Sequence, residues 1–214
     1  MPRPTQPAHG TTPSSSFPGY CAQRNDTQPG EDRGRPTGYS VDAVEGLEPE
    51  GNHCSGACLA LGTLVAVPGG FRTIESIQVG DQVLAAGTDL KWTTYAVQFS
   101  DGTAPGTANP VIVYLRCGDI QAIATPDHLF LLPDKTLKRA DRLIPGDELI
   151  SPDGLSIPID SVSLGEFIGG IHAIATSVQK PDRNLNGHLI ATNGLVSGDY
   201  AAQIYSGEET AIRA

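Results

Sequence analysis

Cys58 opens the run Cys58-Leu59-Ala60-Leu61-Gly62-Thr63-Leu64-Val65 directly after Ala57. A second short signature, Thr125-Pro126-Asp127-His128, precedes the apolar pair Leu129 and Phe130. A thiol and an imidazole held near one peptide bond can move an acyl group. The thiolate is the nucleophile, and the imidazole handles the protons. Cys58 belongs to the bond it would attack, so attack on the Ala57 carbonyl requires no bimolecular encounter. Self-cleavage, rather than action on an outside substrate, is the leading reading of these residues.

Each of them also has a bland reading. Cysteine is commonly a buried small hydrophobe, and a histidine beside Leu129 and Phe130 can simply be packed. His172, in Gly169-Gly170-Ile171-His172-Ala173, reads as structural. His53, Cys54 and Cys58 offer three metal ligands within a short span and Cys117 a fourth, but the spacing matches none of the common zinc patterns. No metal and no cofactor is therefore expected. A Cys54–Cys58 disulfide is a further option, and it would mask the nucleophile until reduced. Asn193-Gly194 can deamidate, but reads first as a type I′ hairpin turn.

The elements that must position these residues are short strands. Apolar runs recur at Leu64–Val67, Gln82–Ala85, Tyr95–Phe99, Val111–Leu115, Gln121–Ala124, His128–Leu132, Glu148–Ile150, Gly170–Ala175 and His188–Thr192. Turn signals such as Pro68-Gly69-Gly70, Asp101-Gly102 and Asn186-Gly187 separate them. The pattern predicts an all-β domain. Its only helical hints are one-turn pieces around Thr73–Ile77 and Leu137–Leu143. The stretch Phe71 to Leu84 is echoed by Leu137 to Ile150 at a constant offset, each copy carrying an apolar turn, a Gly-Asp (Gly80-Asp81, Gly146-Asp147) and a strand. A duplicated β unit with pseudo-two-fold symmetry is the expectation. The Gly serves the turn and the Asp accepts backbone hydrogen bonds there.

Composition bounds the rest. The 214 residues carry a net charge of −10, so neither nucleic acid nor an anionic membrane is an expected partner. No apolar run is long enough to span a bilayer, and Met1 to Pro18 lacks the apolar core of a signal peptide. Localisation is left open. Four cysteines (21, 54, 58 and 117) are too few for a disulfide scaffold in a chain of this length. Residues 1 to 57 are rich in Pro, Gly, Ser, Thr and charge, and read as a disordered, flexible flanking segment. The boundaries that follow are 1–57 for that segment, 58–200 for the β domain and 201–214 for a short C-terminal tail.

Taken together, these pieces resemble the Hint domain shared by inteins, bacterial intein-like domains and hedgehog autoprocessing domains. Cys58 with Gly62, Thr63 and Val65 resembles the N-terminal splicing block, and Phe71 to Leu84 its continuation. Thr125 to His128 with Leu129 and Phe130 resembles the second block, followed by Arg139 to Asp147. Gly187 to Val196 resembles the C-terminal block. The resemblance implies a horseshoe-like all-β fold with its two ends brought together at the active site. Cys58 would be the nucleophile and Ala57–Cys58 the scissile bond. Thr125 and His128 would contact the rearranging amide, and His188 would hold the histidine position of the last block. The reaction would be a single-turnover N-to-S acyl shift. His128 would act as general acid, while Thr125 would orient the scissile bond or donate to the oxyanion.

The chain departs from splicing at its end. Inteins usually finish His-Asn followed by Cys, Ser or Thr, whereas here Gly198, Asp199 and Tyr200 fall at those positions. Glycine has no imidazole, aspartate cyclises far less readily than asparagine near neutral pH, and tyrosine is no established acceptor in this role. Complete splicing is therefore not expected. The residues after Tyr200 leave no room for the sterol-binding region of hedgehog domains, so water or a small thiol is the expected acceptor. The chain's own N-terminal segment is the intramolecular substrate, and a monomer is expected. The non-enzymatic alternative is a degenerate Hint scaffold serving as a linker or interaction module.

Overall fold

Leu59 and Ala60 form a strand of only 2 residues, yet that strand sits inside a 6-stranded antiparallel sheet. The structure is a computed structural model that describes residues 57–211, with side chains to 206. The expected disordered segment, apart from Ala57, lies outside these residues. So do Cys21, His53 and Cys54. In the first sheet the order is Ser161–Ile168, Ala108–Cys117, Ile120–Ala124, Leu59–Ala60, Ile171–Ala175 and Phe99–Gly102. Leu59 faces Ala124 on one side and His172 on the other.

The second sheet runs Leu137–Arg139, Leu129–Leu131, Leu195–Gly198, Leu189–Thr192, Leu64–Val67 and Gly70–Thr73. Gln82–Ala86 branches onto Leu189–Thr192 and carries Thr93–Ala96 on its other edge. The described residues are thus predominantly β, with one α-helix at Tyr200–Ala211. Residues from both sheets build the core: Leu59, Val113, Ala124 and Ile174 from the first, and Val65, Phe130, Ile190 and Leu195 from the second, all nearly or completely buried. Burying a side chain of that size contributes about 1.5–3 kcal/mol relative to leaving it exposed.

The chain passes from one sheet to the other through tight turns. Thr125–His128 links strand Ile120–Ala124 of the first sheet to Leu129–Leu131 of the second, and the His128 N–H donates to the Thr125 carbonyl at 3.1 Å. Leu61–Thr63 makes the same passage after strand Leu59–Ala60, with the Thr63 N–H on the Ala60 carbonyl at 3.2 Å. The run expected as one strand over Tyr95–Phe99 is broken at a third passage. There the Val97 N–H reaches Asp81 O and the next N–H, of Gln98, reaches Ala175 O, each at 2.8 Å.

The echo in the sequence is an echo in hydrogen bonding. The helical hints are 3-10 turns at Ile74–Ser76 and Ala140–Arg142. After each turn a carboxylate, Asp81 or Asp147, accepts a backbone N–H three residues earlier (Gln78 or Ile144) at 2.9 Å. Each also pairs with a cation, Arg72 at 2.9 Å and Lys138 at 2.7 Å. Gly80 and Gly146 adopt φ values of +95° and +92°, where a side chain would be strained.

The helix was not anticipated. Its first turn is capped by Asp199, whose Oδ1 accepts the Ala202 N–H at 2.9 Å. Tyr200 stacks on Phe99 with ring centroids 4.6 Å apart. Ala201, Ala202 and Gln203 are buried. Ala and Gln favour helix, but three such residues behind a lone Asp are a weak signal in the sequence.

Asn193 and Gly194 form the two-residue turn between Leu189–Thr192 and Leu195–Gly198, with φ values of +47° and +84° as a type I′ turn requires. The Asn193 side chain accepts the Leu64 N–H at 2.8 Å and donates to Gln121 O at 3.1 Å, so the hairpin tip ties the two sheets together. Asn193→Gly keeps the turn but loses both bonds. It should lower stability by about 1–2 kcal/mol in urea unfolding. An unchanged midpoint would show that water replaces the tie without cost.

Candidate active site

The register that sets Leu59 opposite Ala124 continues outward to Cys58 and Thr125. The Thr125 N–H donates to the Cys58 carbonyl at 3.0 Å. Thr125 Oγ1 accepts the Cys58 N–H at 2.9 Å and lies 3.3 Å from the Cys58 carbonyl, to which it can donate. That N–H is the amide hydrogen of the Ala57–Cys58 bond. Ala57 and Cys58 are both buried. Of the two roles open to Thr125, orienting this peptide is the one its bonds serve. Its hydroxyl proton is directed at the Cys58 carbonyl, not at that of Ala57.

His128 follows at the end of the same turn. Its backbone is fixed on both sides, the N–H to Thr125 O and the carbonyl accepting the Ala140 N–H at 2.7 Å. Its ring is fully buried, edge-on to Phe130 with centroids 5.1 Å apart. Neither ring nitrogen has a hydrogen-bond partner among the described residues. Burial pushes its pKa down to about 3; the Ala57 backbone opposes the shift but makes no hydrogen bond of good geometry. The imidazole is therefore neutral near pH 7. It enters any reaction as a proton acceptor or an N–H donor, not as a standing acid.

His188 sits at the far end of the Asn193-Gly194 hairpin, opposite Asp199. The Asp199 N–H donates to the His188 carbonyl at 2.8 Å, and His188 Nδ1 lies 3.1 Å from both carboxylate oxygens. The carboxylate also accepts the Thr176 N–H at 3.0 Å, besides capping the helix. Asp199 is 1% exposed, and each of its oxygens is engaged.

A small cavity brings the two ends of the domain together. Ala57 and His128 line it from one side, Asp199 and Gln203 from the other, and His172 forms part of its wall. Cys58, Thr125 and His188 are not in its wall: Cys58 follows Ala57 in the chain and is bonded to Thr125, and His188 is bonded to Asp199. His172 Nε2 lies 2.9 Å from Ser100 Oγ, whose proton goes to Ile77 O at 2.6 Å, so the ring donates. Burial lowers its pKa, opposed by Asp101 and Glu75. Sequence reasoning treated His172 as structural and missed Gln203 altogether. The only signal for Gln203 was its place one helical turn after a capping Asp.

No protein-family profile matches the sequence, and comparison with curated proteins gives no match. Solved structures do match. The bacterial intein-like domain from Clostridium thermocellum superposes with a TM-score of 0.57 at 18% identity, covering 66% of this chain and 98% of that one. A DnaB intein from Synechocystis sp. PCC 6803 gives 0.52 at 17% identity, covering 67% and 98%. The gp41-1 intein gives 0.51 at 21% identity, covering 68% and 100%. The chain carries the Hint fold.

Within this fold the departure at the C-terminal end acquires a physical meaning. Gly198 stands where the resemblance expects histidine. A Cβ there would lie 3.2 Å from Ala202 Cβ, 3.6 Å from Leu129 Cβ and 3.7 Å from Gln203 Cγ, so a larger side chain would collide with the helix. Cys117, weighed as a metal ligand, lies in the apolar core, where burial raises its thiol pKa. The proposed disulfide partner Cys54 lies outside the described residues.

The buried imidazole fixes a pH dependence of stability. His128 binds its proton near pH 6.5 when unfolded and only near pH 3 when folded. Between those values the unfolded state holds the extra proton, so stability rises with pH and is lost as pH falls through this window. Replacing His128 with Gln should flatten the dependence of unfolding free energy on pH between 6 and 4 by up to about 1.4 kcal/mol per pH unit. Equal slopes for parent and variant in denaturant titrations would mean the ring is not buried neutral.

Proposed function

We propose that this domain cleaves its own chain at Ala57–Cys58 by an N-to-S acyl shift, in a single turnover, releasing the N-terminal segment without splicing. The observation that carries the reading is the 2.9 Å hydrogen bond from the Cys58 N–H to Thr125 Oγ1, which holds the plane of the peptide at a residue whose own thiol can attack it. His128 supports it, because its neutral ring lies by Ala57 with both nitrogens uncommitted. On this reading the ring takes the thiol proton as sulfur adds to the Ala57 carbonyl. The resulting imidazolium, strongly acidic in its buried site, returns the proton to the nitrogen of Cys58 as the C–N bond breaks. The product is a thioester between Ala57 and Cys58 Sγ, with the Cys58 amine free. Water or a small thiol then resolves it.

The C-terminal half of splicing finds no support. Gly198 offers no imidazole, Asp199 is held by His188, Thr176 and the helix, and Tyr200 is buried in a ring stack. Asp199 cannot turn on its own peptide without giving up these bonds. In this reading His188 is a positioning residue for Asp199. The repeated turn units are the two halves of a pseudo-two-fold, horseshoe-shaped core.

Intact mass of purified protein, with and without thiol, tests the proposal. The parent should yield fragments divided between Ala57 and Cys58, and Cys58→Ala should remain full length. His128→Gln should cleave about a hundredfold more slowly or worse. A folded, reduced parent that stays full length would instead identify a degenerate Hint scaffold.

A further inference from the structure

Among the described residues only three buried side-chain nitrogen or oxygen atoms have no protein partner: Nδ1 and Nε2 of His128, and Oε1 of Gln203. Both residues line the same cavity, beside Ala57. A buried polar atom without a partner costs about 1–3 kcal/mol, so orphan atoms on two residues from distant segments that line one cavity point to something polar that satisfies them. Gln203 is 8% exposed and its other end is fixed, Nε2 donating to the Gly198 carbonyl at 2.8 Å. Its oxygen is therefore the end left for a ligand.

The size of the cavity limits that ligand. The space open to the centre of a water-sized sphere is about 10 Å³, the low end of what a single water needs. A sterol or an alkyl thiol is far too large. Nor does the wall offer a cation or a free carboxylate: Asp199 is engaged, and the buried His128 and the half-buried His172 both have lowered pKa. A neutral hydrogen-bonding molecule of water's size is what fits.

We propose that Gln203 Oε1 and His128 hold the water that hydrolyses the Ala57–Cys58 thioester, making Gln203 a positioning residue that selects water as acceptor. This rests on the acyl shift proposed above. The bound water donates one hydrogen to Gln203 Oε1 and the other to a His128 ring nitrogen. Its oxygen adds to the Ala57 carbonyl carbon, and its proton passes to His128. The C–S bond then breaks, its electron pair leaves with Cys58 Sγ, and that sulfur receives the proton from His128. The products are a carboxylic acid on Ala57, which ionises, and a Cys58 bearing a free thiol and a free amine. Gly198 packs closely under the helix, since a Cβ there would lie 3.2 Å from Ala202 Cβ, and its carbonyl holds the Gln203 amide.

The test compares hydrolysis with capture by dithiothreitol, an acceptor that needs no held water, in the parent and Gln203→Met. Methionine keeps the length without an acceptor oxygen. The ratio of hydrolysis to thiol capture should fall about tenfold or more in Gln203→Met, the loss of one positioning hydrogen bond of about 1.4 kcal/mol. In heavy-oxygen water the parent's released segment should carry one solvent oxygen at Ala57, a readout independent of whether Gln203→Met folds. An unchanged ratio in a folded Gln203→Met, or no solvent oxygen in the parent's product, overturns the proposal while leaving the acyl shift intact. A parent that cleaves neither in water nor with thiol overturns both.

Discussion

The short strand Leu59–Ala60 is the constraint on which the site depends. It is clamped between Ile120–Ala124 and Ile171–Ala175, with Leu59 opposite Ala124 and His172. Period-two geometry then leaves Cys58 no choice of neighbour: one residue outward lies Thr125, and the three hydrogen bonds between them follow. A slip of one residue would turn Leu59 out of the core and set Thr125 against a different peptide. The burial of Leu59 therefore enforces the position of the amide as effectively as the polar contacts do.

The same backbone device is used twice, and only one copy meets the Ala57–Cys58 peptide. Thr63 N–H to Ala60 O and His128 N–H to Thr125 O close equivalent turns between the sheets, and each turn's last carbonyl accepts the first N–H of a 3-10 segment, Ile74 at 2.8 Å and Ala140 at 2.7 Å. In the first copy the threonine hydroxyl folds back on its own turn, Thr63 Oγ1 to Ala60 O at 2.7 Å. In the second, Thr125 and His128 project toward Ala57 and Cys58. The scaffold supplies rigid turn ends, and the side chains placed on them decide whether an end is merely a corner or faces a bond.

Much of this was legible because it is local. Gly-Asp after an apolar turn, Asn-Gly between two apolar runs and Thr-Pro-Asp-His before Leu129 are patterns over a few residues, and each governs its own backbone. Strand Ser161–Ile168 escaped notice because it lies at a sheet edge with much of its surface exposed, including Leu164 at 64%, so apolar clustering does not mark it. The break at Val97-Gln98 was invisible because consecutive N–H groups serve partners in different sheets. Gln203 was missed for a similar reason. Its place in the cavity wall is set by the Gly198 carbonyl that its amide binds and by the Tyr200–Phe99 stack at the start of the helix.

Gly198 also changes how the unspliced end should be understood. Read only against inteins, glycine in place of histidine, aspartate in place of asparagine and a buried tyrosine are three losses. In the structure they are three parts of one element: the glycine admits the helix, the aspartate caps it, and the tyrosine stacks it on Phe99. A histidine at 198 would have to find room beside Ala202, Leu129 and Gln203, which already lie 3.2–3.7 Å from where its Cβ would stand. On the proposed reading, the packed helix leaves Asp199 and Tyr200 no freedom to join a second fragment, and a water-sized space beside Ala57 is what remains for the thioester.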